Sequence, residues 1–204
     1  MRIEAENGTA PSPTDEELMD RCGRGDAEGL AELIRRHGGP LYGYLLRLTR
    51  SRERAEDAYQ EVWIRVMRSA KSYDQRDRFG AWLYTVARHL VIDQARSTQR
   101  RREERLEDPA GEDGLSPIER EADPGPDPEA ELRGRELEAA LESALAGLAP
   151  EQREVFLLRE RSGLSFAEIA ALTRAPLNTV KTRMHYALGH LRRALAQKGF
   201  LDEG

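Results

Sequence analysis

Asp57, Gln60 and Glu61, in the run AEDAYQEVW, stand three and four residues apart. That spacing puts them on one face of a helix. Two carboxylates and an amide so grouped make either a solvated face or a polar docking surface. Further along, Phe79, Trp82 and Tyr84 lie among Arg76, Arg78 and Arg88, ahead of the basic run RSTQRRREER. Rings beside guanidinium groups suit unpaired nucleic-acid bases, which stack on the rings while the cations follow phosphates. Phe79 and Trp82 fit a plain core equally well. A third group sits in SFAEIAALTRAPLNTVKTRMHYAL, residues 165–188. Here Ser165 and Glu168 have the spacing of a capping box, with Leu164 and Ile169 as its hydrophobic staple. A short helix, the turn TRAP and a longer helix from near Asn178 then make a helix-turn-helix, whose second helix enters the DNA major groove. Lys181, Thr182, His185 and Tyr186 occupy its polar face.

Catalytic chemistry is missing from these groups. The chain carries no phosphate-cradling glycine loop and no nucleophile elbow. Cys22 is the single cysteine, so no internal disulfide or multi-cysteine metal site can form. His185 and His190 are five apart and leave a common face. The carboxylate pairs Glu56/Asp57 and Asp74/Asp77 have no partner motif. No enzyme, cofactor or metal is expected, and the competing readings are a DNA-binding regulator acting alone and an enzyme with a DNA-binding tail.

Helical periodicity dominates the elements that must position these groups. Asp26 caps AEGLAELIRRH, which the glycine pair Gly38-Gly39 is expected to stop, and Pro40 then opens a new helix. Ser51 caps a helix with Ala55, Ala58, Val62, Val66 and Met67 inward. A long helix from Phe79 turns Leu83, Val86, Ala87, Leu90 and Ile92 inward. In the second half, Pro150 begins a helix that Gly163 ends, and Val180, Met184, Ala187, Leu188, Leu191 and Leu195 form the inner stripe of the last one. No alternating strand pattern occurs. The fold class is therefore all-α, with two small helical domains at 15–104 and 132–200.

Charge is segregated along the chain. The whole carries a net −5, yet residues 21–105 sum to +7, residues 106–154 to −11 and residues 155–204 to +4. Local lysine and arginine govern phosphate affinity, so an acidic average does not exclude a nucleic-acid partner. The stretch LEDPAGEDGLSPIEREADPGPDPEAEL holds five prolines and ten carboxylates. It cannot bury enough apolar surface to order itself and reads as a flexible acidic linker, 105–131. Residues 1–14 read as a disordered tail. No apolar run is long enough for a membrane span, and the N-terminus lacks a signal-peptide core, so a cytoplasmic protein without membrane insertion is expected.

Taken together, AEDAYQEVW, FGAWLYTVARHLVIDQARSTQRR and LAPEQREVFLLRERSGLSFAEIAALTRAPLNTVKTRMHYAL resemble the motifs of bacterial RNA polymerase sigma factors of the sigma-70 family, extracytoplasmic-function (ECF) subfamily. The resemblance implies a promoter-directing subunit with no catalysis of its own. It implies that Asp57, Ala58, Tyr59, Gln60 and Glu61 dock on the clamp helices of the largest core RNA polymerase subunit. It implies that the Tyr73–Arg78 loop captures a flipped base of the −10 element, and that Phe79, Trp82, Tyr84, Arg88, His89, Gln94 and Arg96 serve the same −10 DNA. Arg159, Thr179, Lys181, Thr182, Arg183, His185 and Tyr186 match positions facing the −35 groove. Tyr186 and Leu188 stand where family members often carry arginine. The implied partners are core polymerase, including the flap of its second-largest subunit, promoter DNA and an anti-sigma factor. The free chain is expected to be a monomer, and its linker to thread the polymerase channels.

Overall fold

The computed structural model describes residues 12–74, 78–105 and 128–201, and the side chains of 98–105 and 128–131 lie outside that description. The regular structure of the described residues is helical throughout. Helices α1 (Asp15–Gly23), α2 (Ala27–Thr49), α3 (Arg52–Ser69) and α4 (Phe79–Arg105) form the first bundle, with a 3-10 turn at Ala70–Ser72. Helices α5 (Pro128–Ala146), α6 (Pro150–Ser162), α7 (Phe166–Thr173) and α8 (Leu177–Gln197) form the second. The tail 1–11 and the acidic segment 106–127 lie outside the described residues.

Local chemistry sets the helix ends. Thr14 and Glu17 close a capping box on α1, with the Thr14 N–H donating to Glu17 Oε2 at 2.7 Å. Asp26 accepts from the Glu28 N–H at 2.9 Å to start α2, and Ser51 caps α3. The N-terminus of α4 takes its acceptor from another helix: Glu16 of α1 receives the Phe79 N–H at 3.2 Å. Asp15 meanwhile joins α1 to α2, meeting His37 Nε2 at 2.6 Å and Arg36 Nη1 at 3.1 Å. In α7 the Ser165/Glu168 capping box is complete, and Leu164 and Ile169 are buried as its staple.

Three expectations need correction. Gly38-Gly39 does not stop a helix and Pro40 does not open one; α2 is continuous across all three. A proline inside a helix forfeits one backbone hydrogen bond, and the packing of α2 against α1 and α3 outweighs that local cost. Met67 is half exposed at 50% and Leu188 at 49%, not inward. Each follows a residue that already takes the core position, Val66 and Ala187, and so lies about 100° round the helix from it. Val86, Ile92 and Leu195 are half-buried.

Helix α6 carries the centre of the second bundle. Arg153 is buried, and its guanidinium closes the end of α5: Nε donates to Leu145 O at 2.8 Å, and Nη2 to Ala146 O at 2.9 Å and Leu148 O at 3.0 Å. Leu145 O also accepts from the Leu148 N–H at 3.2 Å, and the charged side chain adds bonds where the end of the helix leaves its carbonyls short of partners. α6 also packs outward, against α2 and α4, while α7 touches α4. The two bundles thereby share one continuous apolar core, at whose seam the Tyr44 and Tyr84 rings meet edge to face at 5.1 Å. Burial pushes both phenols above their ordinary pKa.

Replacing Arg153 by alanine should lower unfolding free energy by about 3 kcal/mol, because several charge-assisted bonds to buried carbonyls are lost together. Urea titration checks this; the exposed Arg192→Ala should change stability by less than about 0.5 kcal/mol.

Candidate functional site

Helix α3 presents the first group. Asp57 and Gln60 are exposed and Glu61 half-buried on one outward face, while the half-buried Tyr59 lies on the flank turned to α2. Ala58 is fully buried, so this motif member cannot touch a partner: its position on the helix faces the core. Glu56 pairs with Arg52 at 2.8 Å and Glu61 with Arg65 at 2.9 Å, both one turn apart on the same helix. Such exposed pairs hold little energy and yield readily to a partner. The Tyr59 ring stands edge-on to Tyr42 at 5.8 Å and to Trp63 at 6.2 Å. Between α2 and α3 this leaves a shallow recess lined by Gly38, Gly39, Tyr42, Glu56, Tyr59 and Gln60.

The second group gathers at the start of α4. Tyr73, Phe79 and Trp82 form an aromatic cluster, with Tyr73 to Trp82 at 5.2 Å, and His37 packs on Phe79 at 5.1 Å. Phe79 and Tyr84 are buried at 1% exposure each. Neither ring is open to a base in this arrangement, since Phe79 seals the first bundle and Tyr84 the seam between bundles. Trp82 and Gln94 are half-buried, and His89 and Arg96 are exposed. Residues 75–77 of the loop expected to capture a base lie outside the described residues.

The arginines of this region are engaged by the second bundle. Arg88 Nε donates to Glu154 Oε1 at 2.7 Å, with side chains only 16% and 13% exposed. Arg78 Nη1 reaches Glu168 Oε1 at 3.0 Å. Arg47 is buried against Glu142, and the Tyr84 hydroxyl donates to Arg161 O at 3.2 Å. Glu168 serves twice, as α7's capping carboxylate and as Arg78's partner. Partial burial pushes its pKa up, but hydrogen bonds from Ser165 and the Arg78 charge outweigh that and hold it below the ordinary value.

The third group lines α8. Lys181, Thr182, His185 and Tyr186 are exposed, and Thr179 and Arg183 half-buried, while Val180, Met184, Ala187 and Leu191 face the core. His185 and Tyr186 rings lie 6.0 Å apart. The turn before α8 passes through Arg174 in the left-handed region, φ 53°. Arg159 points to its own domain, donating to Leu164 O at 2.8 Å and lying over the Phe166 ring at 5.2 Å. It braces the start of the helix-turn-helix.

The profile of Sigma-70 region 2 matches residues 33–101, and that of Sigma-70 region 4 matches residues 138–191. The ECF RNA polymerase sigma factor SigW of Bacillus subtilis is 30% identical over 173 residues, 84% of this chain and 91% of the relative. The ECF sigma factor SigE of Mycolicibacterium smegmatis is 37% identical over 166 residues, 81% of this chain but 61% of that longer relative. The chain belongs to the ECF subfamily of RNA polymerase sigma factors. Among solved structures, the sigma factor RpoE in complex with the anti-sigma factor NepR from Bartonella quintana shares the fold, at TM-score 0.64 and 24% identity over 81% of this chain and 96% of that one. CnrH in complex with the cytosolic domain of CnrY aligns at TM-score 0.60 and 21% identity, over 90% and 97%.

The region 2 match runs from within α2 to within α4 and the region 4 match from within α5 to within α8, and Glu142, Glu154 and Glu168 of region 4 hold three region 2 arginines. Sequence reasoning missed these carboxylates. Arg88 and Glu154 are 66 residues apart, and no periodicity links them. No helix of the described residues is long and apolar enough to cross a membrane.

Two outcomes follow. A double-mutant cycle on Arg88→Gln and Glu154→Gln, read by urea unfolding, should give a coupling of about 1 to 3 kcal/mol. Glu168 has a depressed folded pKa, so its contribution is complete at neutral pH and fades as pH falls below the ordinary value of 4.5. Glu168→Gln should therefore destabilise the chain at pH 7 and flatten the fall in stability on acidification through that range.

Proposed function

We propose that this sigma factor binds core RNA polymerase and directs it to promoters, reading the −35 element with α8 and recognising and melting the −10 element with region 2. The observation that carries the reading is the outward strip of Lys181, Thr182, His185 and Tyr186 on the second helix of a helix-turn-helix whose first helix carries a complete capping box. A major-groove helix needs this polar, exposed face at its N-terminal half. Lys181 and the half-buried Arg183 are the cations available there for guanine contacts.

Polymerase docking falls to Asp57, Tyr59, Gln60 and Glu61 on the clamp helices, with region 4 against the flap. Trp82, His89, Gln94 and Arg96 are the −10 contacts already accessible on α4. Arg78 and Arg88 serve DNA by exchanging Glu168 and Glu154 for phosphates. That exchange needs regions 2 and 4 to part, and it explains why an acidic chain can grip DNA: its cations are released where polymerase holds the two regions separately at high effective concentration. The acidic segment threads the polymerase channels, and work with polymerase places the protein in the cytoplasm. An anti-sigma factor is the expected inhibitor, and the similarly folded RpoE from Bartonella quintana was solved in complex with one.

Lys181→Ala with His185→Ala should abolish dependence on the −35 sequence in transcription assays and leave core polymerase binding intact. Asp57→Ala with Gln60→Ala should do the reverse, measured by pull-down with core enzyme. Equal loss of polymerase binding in both pairs would break the assignment of the two faces.

A further inference from the structure

The middle of α2 holds Gly38, Gly39 and Pro40 in succession. Glycine and proline are the least favourable residues of a helix interior, so their presence calls for a local reason. For Gly38 the geometry supplies one. A Cβ built at this position would lie 2.6 Å from the Tyr59 hydroxyl oxygen, inside any real contact distance, but 3.7 Å from Tyr59 Cζ, an ordinary contact. The missing side chain therefore makes room for a single atom, the phenol oxygen. Gly39 meets nothing within 4 Å and forms open wall of the recess beside it.

Tyr59 is the largest side chain in the Asp57–Glu61 run, on its flank toward α2, and it packs on its other sides against Tyr42 and Trp63. With those rings on its flanks, the contact with α2 decides how high Tyr59 stands over the recess. We infer that Gly38 is a positioning residue for polymerase binding, fixing Tyr59 in the docking face by carrying no side chain of its own. This rests on the reading of the α3 strip as the polymerase interface. Aromatic side chains seated at a precise height are the groups on which interface energy concentrates.

The consequence is unusual for a buried glycine. Alanine at position 38 favours the helix, and the obstructing atom is the far end of a side chain at the surface, so Tyr59 can swing outward without unfolding the bundle. Stability and binding should separate. In the full chain, Gly38→Ala should melt no lower than wild type yet bind core polymerase about tenfold more weakly, the loss expected for one displaced interface aromatic. Tyr59→Phe keeps the ring and removes the obstructing oxygen. Adding Gly38→Ala to Tyr59→Phe should therefore weaken binding by less than about threefold relative to Tyr59→Phe itself, against about tenfold in the wild-type background.

Competition binding to core enzyme and thermal melting, on the same four proteins and on Asp57→Ala with Gln60→Ala, decide the matter. Wild-type binding by Gly38→Ala beside weak binding by the Asp57/Gln60 pair overturns the role of Gly38 alone. Wild-type binding by the Asp57/Gln60 pair overturns the underlying interface. A loss of about tenfold from Gly38→Ala in the Tyr59→Phe background too, or a fall in melting temperature that tracks the loss of binding, makes Gly38 a packing residue and overturns the inference.

Discussion

Arg88 and Glu154 meet with both side chains almost out of water, and much of the described structure is arranged around that contact. An ion pair so placed costs desolvation on both partners and is stable only when each has the other. Around it α6 lies against α2, α4 and α8 at once, and the Tyr44 and Tyr84 rings exclude solvent from its flank. Neither bundle would present a finished surface here alone: region 2 would expose Tyr84 beside an arginine, and region 4 a carboxylate beside Leu157 and Leu158. The closed arrangement and the burial of DNA-matching side chains are one physical fact.

The parts that stay outward are correspondingly informative. The Asp57–Glu61 strip on α3 and the Lys181–Tyr186 strip on α8 take no part in the seam between the bundles. Both are rich in groups that water satisfies easily and that a partner can satisfy as well. Arg78 and Arg88 are different, because they already have carboxylate partners that any phosphate would have to displace. In this reading the chain is ready for polymerase before it is ready for promoter DNA.

Much of this was legible in the sequence. Capping boxes are local, so Ser165 with Glu168 marks the start of α7 in the sequence itself, and three- and four-residue periodicity marks the buried faces of α3 and α8. Gly38-Gly39-Pro40 misled for the same local reason: the triplet reads as punctuation, whereas tertiary packing carries α2 straight through it. Ala58, Phe79 and Tyr84 belong to motifs matched as a whole, and only burial separates motif members that face a partner from those that face the core. The Arg88–Glu154 and Arg78–Glu168 pairs join positions remote in sequence, and a single chain offers no pattern from which to read them.

The central claim is that this chain gives promoter choice to a polymerase and does little to DNA by itself. The direct measurement is transcription by core RNA polymerase on fragmented genomic DNA, with and without the purified chain, alongside footprints of the chain alone. The account predicts new transcripts whose starts share an upstream pair of motifs, and no protection without polymerase. Absence of new starts, together with footprints left by the chain alone, would contradict it and would make the protein a regulator that acts without polymerase.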